Sequence, residues 1–374
     1  MINLFDLDCQ ALEAFFIEQG EKRFRATQVM KWIYHEGELN IDCWTNLSKV
    51  CREFLKRETV LSLPKIVTTQ HSNDGTIKWM LQLPRHKSDK GSDKGGTANA
   101  VEMVYIPEND RGTLCISSQA GCALACPFCS TAHEGFNRNL TTGEIIGQVW
   151  LAVKALGWQK GGKRKITNIV LMGMGEPLLN YTNVVRACNL MMDDLGFGLS
   201  KRRVTLSTSG IVPKIYDLKR DSDVALAVSL HAPTNTLRDE IVPINQKYPL
   251  EELITACQHF AGDSGTKKYI TWEYVMLKGV NDSIEHAKAL HRLIRHIPGK
   301  INLIPFNIFP GTRFEPSEMS QIIKFQNFLA QKGMVITVRR TRGDDISAAC
   351  GQLVGEVKDK SRRQRVLIRS GSCL

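Results

Sequence analysis

Three cysteines, Cys122, Cys126 and Cys129, fall within eight residues in the run Gly121-Cys-Ala-Leu-Ala-Cys-Pro-Phe-Cys129. Thiolates are soft ligands suited to zinc or to iron–sulfur clusters. A zinc ribbon needs two Cys-x-x-Cys pairs, and no second pair follows this run at ribbon spacing. Three thiolates on a four-iron cluster leave one iron open to a substrate, so the spacing points to a cluster that does chemistry. Further stretches of unusual polar composition lie downstream: Gly173-Met-Gly-Glu-Pro177, Ser207-Thr-Ser-Gly210, Ser229-Leu-His231 and Phe306-Asn307.

The elements that must carry these residues alternate. From residue 113 the pattern predicts strands at 113–117, 166–172, 203–207, 224–230, 269–276 and 301–305. Helices such as 142–155 and 283–296 fall between them, and a short strand at 334–340 ends the series. Strand–helix alternation of this kind argues for parallel strands with right-handed crossovers. Six units, fewer than a closed eight-fold barrel, predict an α/β fold of the partial (β/α)6 TIM-like type. The cysteine loop follows strand one, and the other unusual stretches follow strands two, three, four and six. Ligands of parallel α/β folds bind beyond the carboxyl ends of strands, so these five segments are expected to build one site.

Three flanking regions complete the expected organisation. Residues 1–62 read as a small helical domain with a basic turn at Lys22-Arg-Phe-Arg25. Residues 63–112 read as a β extension, with a hairpin turn at Ser72-Asn-Asp-Gly75 and a solvated loop over 86–98. The barrel is assigned to 113–340, and 341–374 to a Cys350 loop and a basic tail.

The cysteine run resembles the signature of the radical S-adenosylmethionine superfamily. The longer runs Cys115-Ile-Ser-Ser-Gln-Ala-Gly-Cys122, Gly173-Met-Gly-Glu-Pro-Leu-Leu-Asn-Tyr181, Ser229-Leu-His-Ala232 and Gly343-Asp-Asp-Ile-Ser-Ala-Ala-Cys350-Gly-Gln-Leu353 resemble a narrower family. It comprises bacterial adenine-C2 methyltransferases acting on 23S ribosomal RNA, in the peptidyl-transferase region, and on the adenosine 3′ to the anticodon of tRNAs. The resemblance implies one 4Fe-4S cluster on Cys122, Cys126 and Cys129. It implies S-adenosylmethionine held by Gly175, Glu176, Ser207, Ser229, Leu230, His231 and Asn307, two molecules being used per turnover. Cys350 would carry a methyl group on sulfur and deliver it to adenine C2. Glu102 would accept the C2 proton, and Cys115 would attack the bridging sulfur, leaving a disulfide. The resemblance also implies RNA contact by the helical domain and a low-potential donor such as flavodoxin. Taken alone, Cys115 reads as a small core residue and Glu102, on an alternating strand, as solvent-facing.

Bulk properties agree with an RNA partner. The net charge is +11 and the pI is near 9.1, which favours polyanions because each neutralised phosphate releases counterions. Basic runs at Lys201-Arg-Arg203, Arg339-Arg-Thr-Arg342 and Lys358-Asp-Lys-Ser-Arg-Arg-Gln-Arg365 offer phosphate contacts. The acidic first twenty residues lack a signal-peptide pattern, and no apolar stretch has membrane-spanning length. A cytoplasmic monomer with reduced thiols is the expectation. The alternatives are an adenine-C8 methyltransferase sharing these cysteines, and a zinc-stapled RNA-binding protein without catalysis.

Overall fold

The computed structural model describes residues 1–85, 99–157, 162, 164–262 and 268–355. The expected loop at 86–98 and the basic run at 358–365 lie outside the described residues. Ten strands form one open sheet. Its order is Val335–Val338, Gly299–Pro305, Ile270–Met276, Ala225–Ser229, Val204–Thr208, Asn168–Leu171, Gly112–Cys115, Ala100–Pro107, Ile77–Gln82 and Lys65–His71. The first seven pair in parallel. The last three add antiparallel strands to the edge of the parallel series. Trp272, Tyr274, Ile301 and Leu303 are buried on one face of adjacent strands and Val275 and Ile304 on the other, as sheets covered by crossover helices require.

The helix Thr142–Ala155 shows how local sequence fixes the scaffold. Thr141 accepts from the Glu144 N–H at 3.2 Å, and Glu144 accepts from the Thr141 N–H at 2.9 Å. This reciprocal cap satisfies two helix-end donors. Ile145, Ile146, Val149 and Trp150 then face the core. Glu144 also receives both terminal nitrogens of Arg138 at 2.7 Å.

The first 58 residues are mainly helical, with Cys9–Glu18 capped by Asp8 and Lys49–Glu58 capped by Ser48. They share the main core: Phe5 packs edge-on against both Tyr34 and Trp150, and the Trp150 indole N–H donates to the Ile33 carbonyl at 3.1 Å. Asp6 accepts from the Gly143 N–H at 2.6 Å, fixing the module to the helix 142–155. The hairpin signal at 72–75 forms as expected, with Gly75 at φ +85°. Among the described residues no helix is long and apolar enough to cross a membrane.

Candidate active site

The cysteine loop leaves the first parallel strand through Ile116-Ser-Ser118. Gln148 fixes that departure, accepting from the Ser117 N–H and donating to its carbonyl, both at 2.8 Å. Leu124 and Cys126 then join a second apolar cluster with Val275, Phe306, Phe309 and Phe314, and Cys122, Phe128 and Cys129 pack against it. Burial pushes the Cys126 thiol well up, and the neighbouring Cys122 and Cys129 add to the shift. Burial pushes the Cys129 thiol up as well, and added positive charge, which cluster iron brings, would hold such buried sulfurs as thiolates. Among the described residues, no three His, Cys, Asp or Glu side chains converge as a single metal ion requires. The thiols line a cavity instead, a donor set that suits a cluster.

All five strand-end segments reach that cavity. Gly175, Glu176, Ser207, Ser229, His231 and Asn307 line it together with the three cysteines. Gly175 lies at φ +100°, and a Cβ there would stand 2.5 Å from that of Gln119. Gln119 accepts from the Glu176 N–H at 2.8 Å. Burial raises the proton affinity of the Glu176 carboxyl, opposed by donors from Ser209, Thr208 and Leu178. It therefore enters the cavity as an oriented acceptor, fit for an amino group. His231 adopts φ +59°, a strained position for a residue with a side chain. Its Nδ1 accepts from the Val275 N–H at 3.1 Å, and burial drives its pKa down to about 3. The ring is thus neutral, with Nε2 as the donor. Leu230 is fully buried, and its side chain does not line the cavity; its carbonyl accepts from Arg238.

Arg238 escaped sequence reading, because Thr236-Leu-Arg-Asp-Glu240 looks like an ordinary exposed helix. It is fully buried and donates to the carbonyls of Ser209, Ser229 and Leu230, and to Asn245. Its charge also acts on Cys126. One guanidinium therefore ties strand ends three and four to the cluster loop.

Cys350 lies on the segment after the last strand, which many side chains hold in place. Asn307 donates to the Cys350 carbonyl at 3.2 Å, and Thr131 donates to that of Leu353 at 2.7 Å. Asp74 accepts from the Gly343 N–H at 3.0 Å. Cys350 borders a second cavity, an open groove of about 1070 Å³ whose cations Arg111, Arg202, Lys300, Arg339, Arg340 and Arg342 outnumber its carboxylates Asp74, Glu108, Asp110 and Glu273. Thr113, Asn168, Thr205, Thr271 and Asn302 furnish it with polar groups. Of the expected basic run at 201–203 only Arg202 reaches this groove, where it joins Arg339, Arg340 and Arg342 of the run at 339–342; Lys201 pairs with Asp223 instead.

Cys115 lines neither cavity, yet it is close enough to Cys350 and Arg339 to exchange charge effects with both. Burial pushes its thiol up to about 12. Glu102 is not solvent-facing, which corrects the expectation for an alternating strand. It is buried, pairs with Lys78 at 3.2 Å, and accepts from the Val354 N–H at 2.9 Å. The extra strands and the Cys350 segment cover the face that alternation alone left open. Glu134 beside it accepts from the Gly355 N–H at 3.0 Å.

A cysteine loop facing a cavity ringed by parallel strand ends defines a radical S-adenosylmethionine enzyme. The radical SAM superfamily profile matches residues 116–291, and that of the ribosomal RNA large subunit methyltransferase N-terminal domain matches 2–61. A radical SAM methyltransferase from Sphaerobacter thermophilus superposes with a TM-score of 0.83 at 39% identity, covering 94% of this chain and 99% of that one. The dual-specificity RNA methyltransferase RlmN of Dichelobacter nodosus is 55% identical over 97% of both chains. That of Stenotrophomonas maltophilia is 53% identical over 97% of this chain and 90% of its own. The chain belongs to the RlmN family of dual-specificity RNA methyltransferases. Membership of the superfamily brings an iron–sulfur cluster and S-adenosylmethionine, and the family name makes RNA the substrate.

Proposed function

We propose that this enzyme methylates C2 of a specific adenosine in the peptidyl-transferase region of 23S ribosomal RNA and of the adenosine 3′ to the anticodon in tRNAs. The observation that carries the reading is that Cys350 borders both cavities. One of them presents the cluster thiols and the oriented Glu176; the other is open and cationic. A carrier thiol between a methyl source and RNA needs that position.

Cys122, Cys126 and Cys129 would hold one 4Fe-4S cluster. Gly175, Glu176, Ser207, Ser229, His231, Asn307 and the Leu230 backbone would hold S-adenosylmethionine, two molecules serving each turnover. When bound, these groups supply a methyl cation equivalent and a 5′-deoxyadenosyl radical. The chain's own residues do the rest. The Cys350 sulfur accepts the methyl and presents it to an unstacked adenine, as base chemistry requires. Glu102 takes the C2 proton; burial raises the proton affinity of its carboxyl, the direction a base needs. The Cys115 sulfur attacks that of Cys350, freeing the methylated base and leaving a disulfide. A low-potential donor such as flavodoxin supplies electrons, and the enzyme works as a cytoplasmic monomer.

The test is the position of the methyl group. RNA from cells lacking this protein should lose a C2 mark in 23S RNA and tRNA, restored by the wild-type chain and not by Cys350→Ala. A lost C8 mark would replace this reading with the adenine-C8 one. Zinc without sulfide in anaerobically purified protein would favour a binding module.

A further inference from the structure

The release step sets a problem for Cys115. A thiol attacks sulfur only as thiolate, and Cys115 is buried in the strand Gly112–Cys115 between Val104 and Val170. Its surroundings offer little else to carry the charge. The sheet neighbours Val104 and Val170 are apolar, and Cys350 adds a second ionisable thiol. Lys78 pairs in register with Val104, but its ammonium is held by Glu102 at 3.2 Å and lies 3.4 Å from the Ser347 carbonyl. Arg339 remains. It follows the edge strand Val335–Val338, where its N–H donates to the Leu303 carbonyl at 2.8 Å, and it borders the groove beside Cys350. Thr113, two residues before Cys115 on the same strand, and Val170, the register partner of Cys115, line that same groove with Arg339 and Cys350; the groups whose charge Arg339 feels are Cys350, Glu273, Cys115 and Glu108. Among the described residues its guanidinium has no carboxylate within ion-pair distance, whereas Arg111 is paired to Glu108 at 2.8 Å.

We propose that Arg339 is a positioning residue for product release, its guanidinium holding the Cys115 sulfur as thiolate and aimed at the sulfur of Cys350. The proposal rests on the two-thiol reading above. At release, Cys350 is linked through sulfur and a methylene group to adenine C2. The Cys115 thiolate attacks the Cys350 sulfur, forming the S–S bond as the sulfur–methylene bond breaks. The electron pair passes to the methylene carbon, is delocalised into the purine ring, and is quenched by a proton from groove water, giving the methyl group. No outside oxidant or reductant enters this step. Removing the cation leaves burial unopposed, so less Cys115 is ionised at neutral pH.

Arg339→Gln and Arg339→Lys should be compared with wild type and with Cys115→Ala. The glutamine variant should methylate Cys350, form the protein–RNA adduct and accumulate it. Purified adduct, transferred to buffers of increasing pH, should release RNA roughly tenfold more slowly than wild type at neutral pH and recover as pH rises, since one pKa unit is a tenfold change in thiolate. The lysine variant should release at close to the wild-type rate, whereas Cys115→Ala should not release at any pH. Glutamine-variant release with the wild-type rate and pH profile overturns the proposal and leaves the two-thiol reading intact. Weakened RNA binding with an unshifted release profile also overturns it, making Arg339 a phosphate contact. So does loss of adduct in both arginine variants, which would place the residue before release. Absence of any adduct in Cys115→Ala instead defeats the reading on which the proposal rests.

Discussion

The Asn307 side chain donates to the main-chain carbonyl of Cys350 at 3.2 Å. Asn307 sits just past a strand end and borders both cavities, so it couples the cavity lined by the three cysteines to the backbone of Cys350. Thr341 in turn donates to the Asn307 side-chain oxygen at 3.3 Å. Whatever fills the cofactor cavity therefore adjoins the segment that presents Cys350 to the groove.

Loss of one cluster thiol should abolish the metal centre. Cys126 is buried in an apolar cluster against which Cys122 and Cys129 pack. Anaerobic reconstitution of Cys126→Ala should lack the four-iron absorbance and cleave no S-adenosylmethionine. Cleavage surviving the change would rule out the assignment.

Cys115 and Cys350 stand 235 positions apart, and the two-thiol reading gives them different failures. Cys350→Ala should yield neither methylated protein nor methylated RNA. Cys115→Ala should be purified with RNA that resists denaturant and disappears with nuclease, leaving an adenosine-sized mass on Cys350. Normal turnover by Cys115→Ala would remove it from the release step.

Glu134 makes stability depend on pH. Burial raises its carboxyl to about 7, and nearby Glu102 adds to the shift. The folded state thus holds a proton that the unfolded chain gives up near the ordinary 4.5. The stabilising contribution is full below the unfolded pKa and is lost as pH rises to about 7. Glu134→Gln should keep an acceptor for the Gly355 N–H and remove this slope. Its Tm relative to wild type should rise between pH 5 and pH 8; an unchanged difference would contradict the assignment.

Gly175→Ala combines a left-handed backbone position with a Cβ 2.5 Å from that of Gln119. The cost should be roughly 2–4 kcal/mol, from strain and overpacking together, read by denaturant unfolding. A change under about 0.5 kcal/mol, the range of ordinary surface substitutions, would show that the loop can relax.

Lys300 lines the groove and makes no ion pair within the described residues. Lys300→Ala should weaken binding to protein-free 23S RNA and tRNA alike. The slope of log affinity against log salt should fall by about 0.7 to 0.9, the value of one lost phosphate contact. An unchanged slope would put the RNA elsewhere.

The sequence by itself determined the chemistry and the scaffold that presents it. The spacing of Cys122, Cys126 and Cys129 is local, and so are the strand-then-loop patterns ending in Glu176, Ser207, Ser229 and Asn307; periodicity and ligand type read both directly. Burial and long-range pairing were decided only by tertiary structure, because they depend on what packs over a face. Alternation shows that Lys78 and Glu102 each occupy a fixed side of a strand. It does not show that the segment 343–355 folds back over that side, which turns a nominally exposed carboxylate into a buried one gripping Val354. Arg238, an arginine on a short polar helix, has no sequence mark of its burial against three carbonyls of the cofactor rim. The placement of Arg339 and Cys350 at one groove with Thr113 and Val170 likewise needs the sheet's register and the return of the chain past its edge strand, since side chains meet by distance in space and not along the chain.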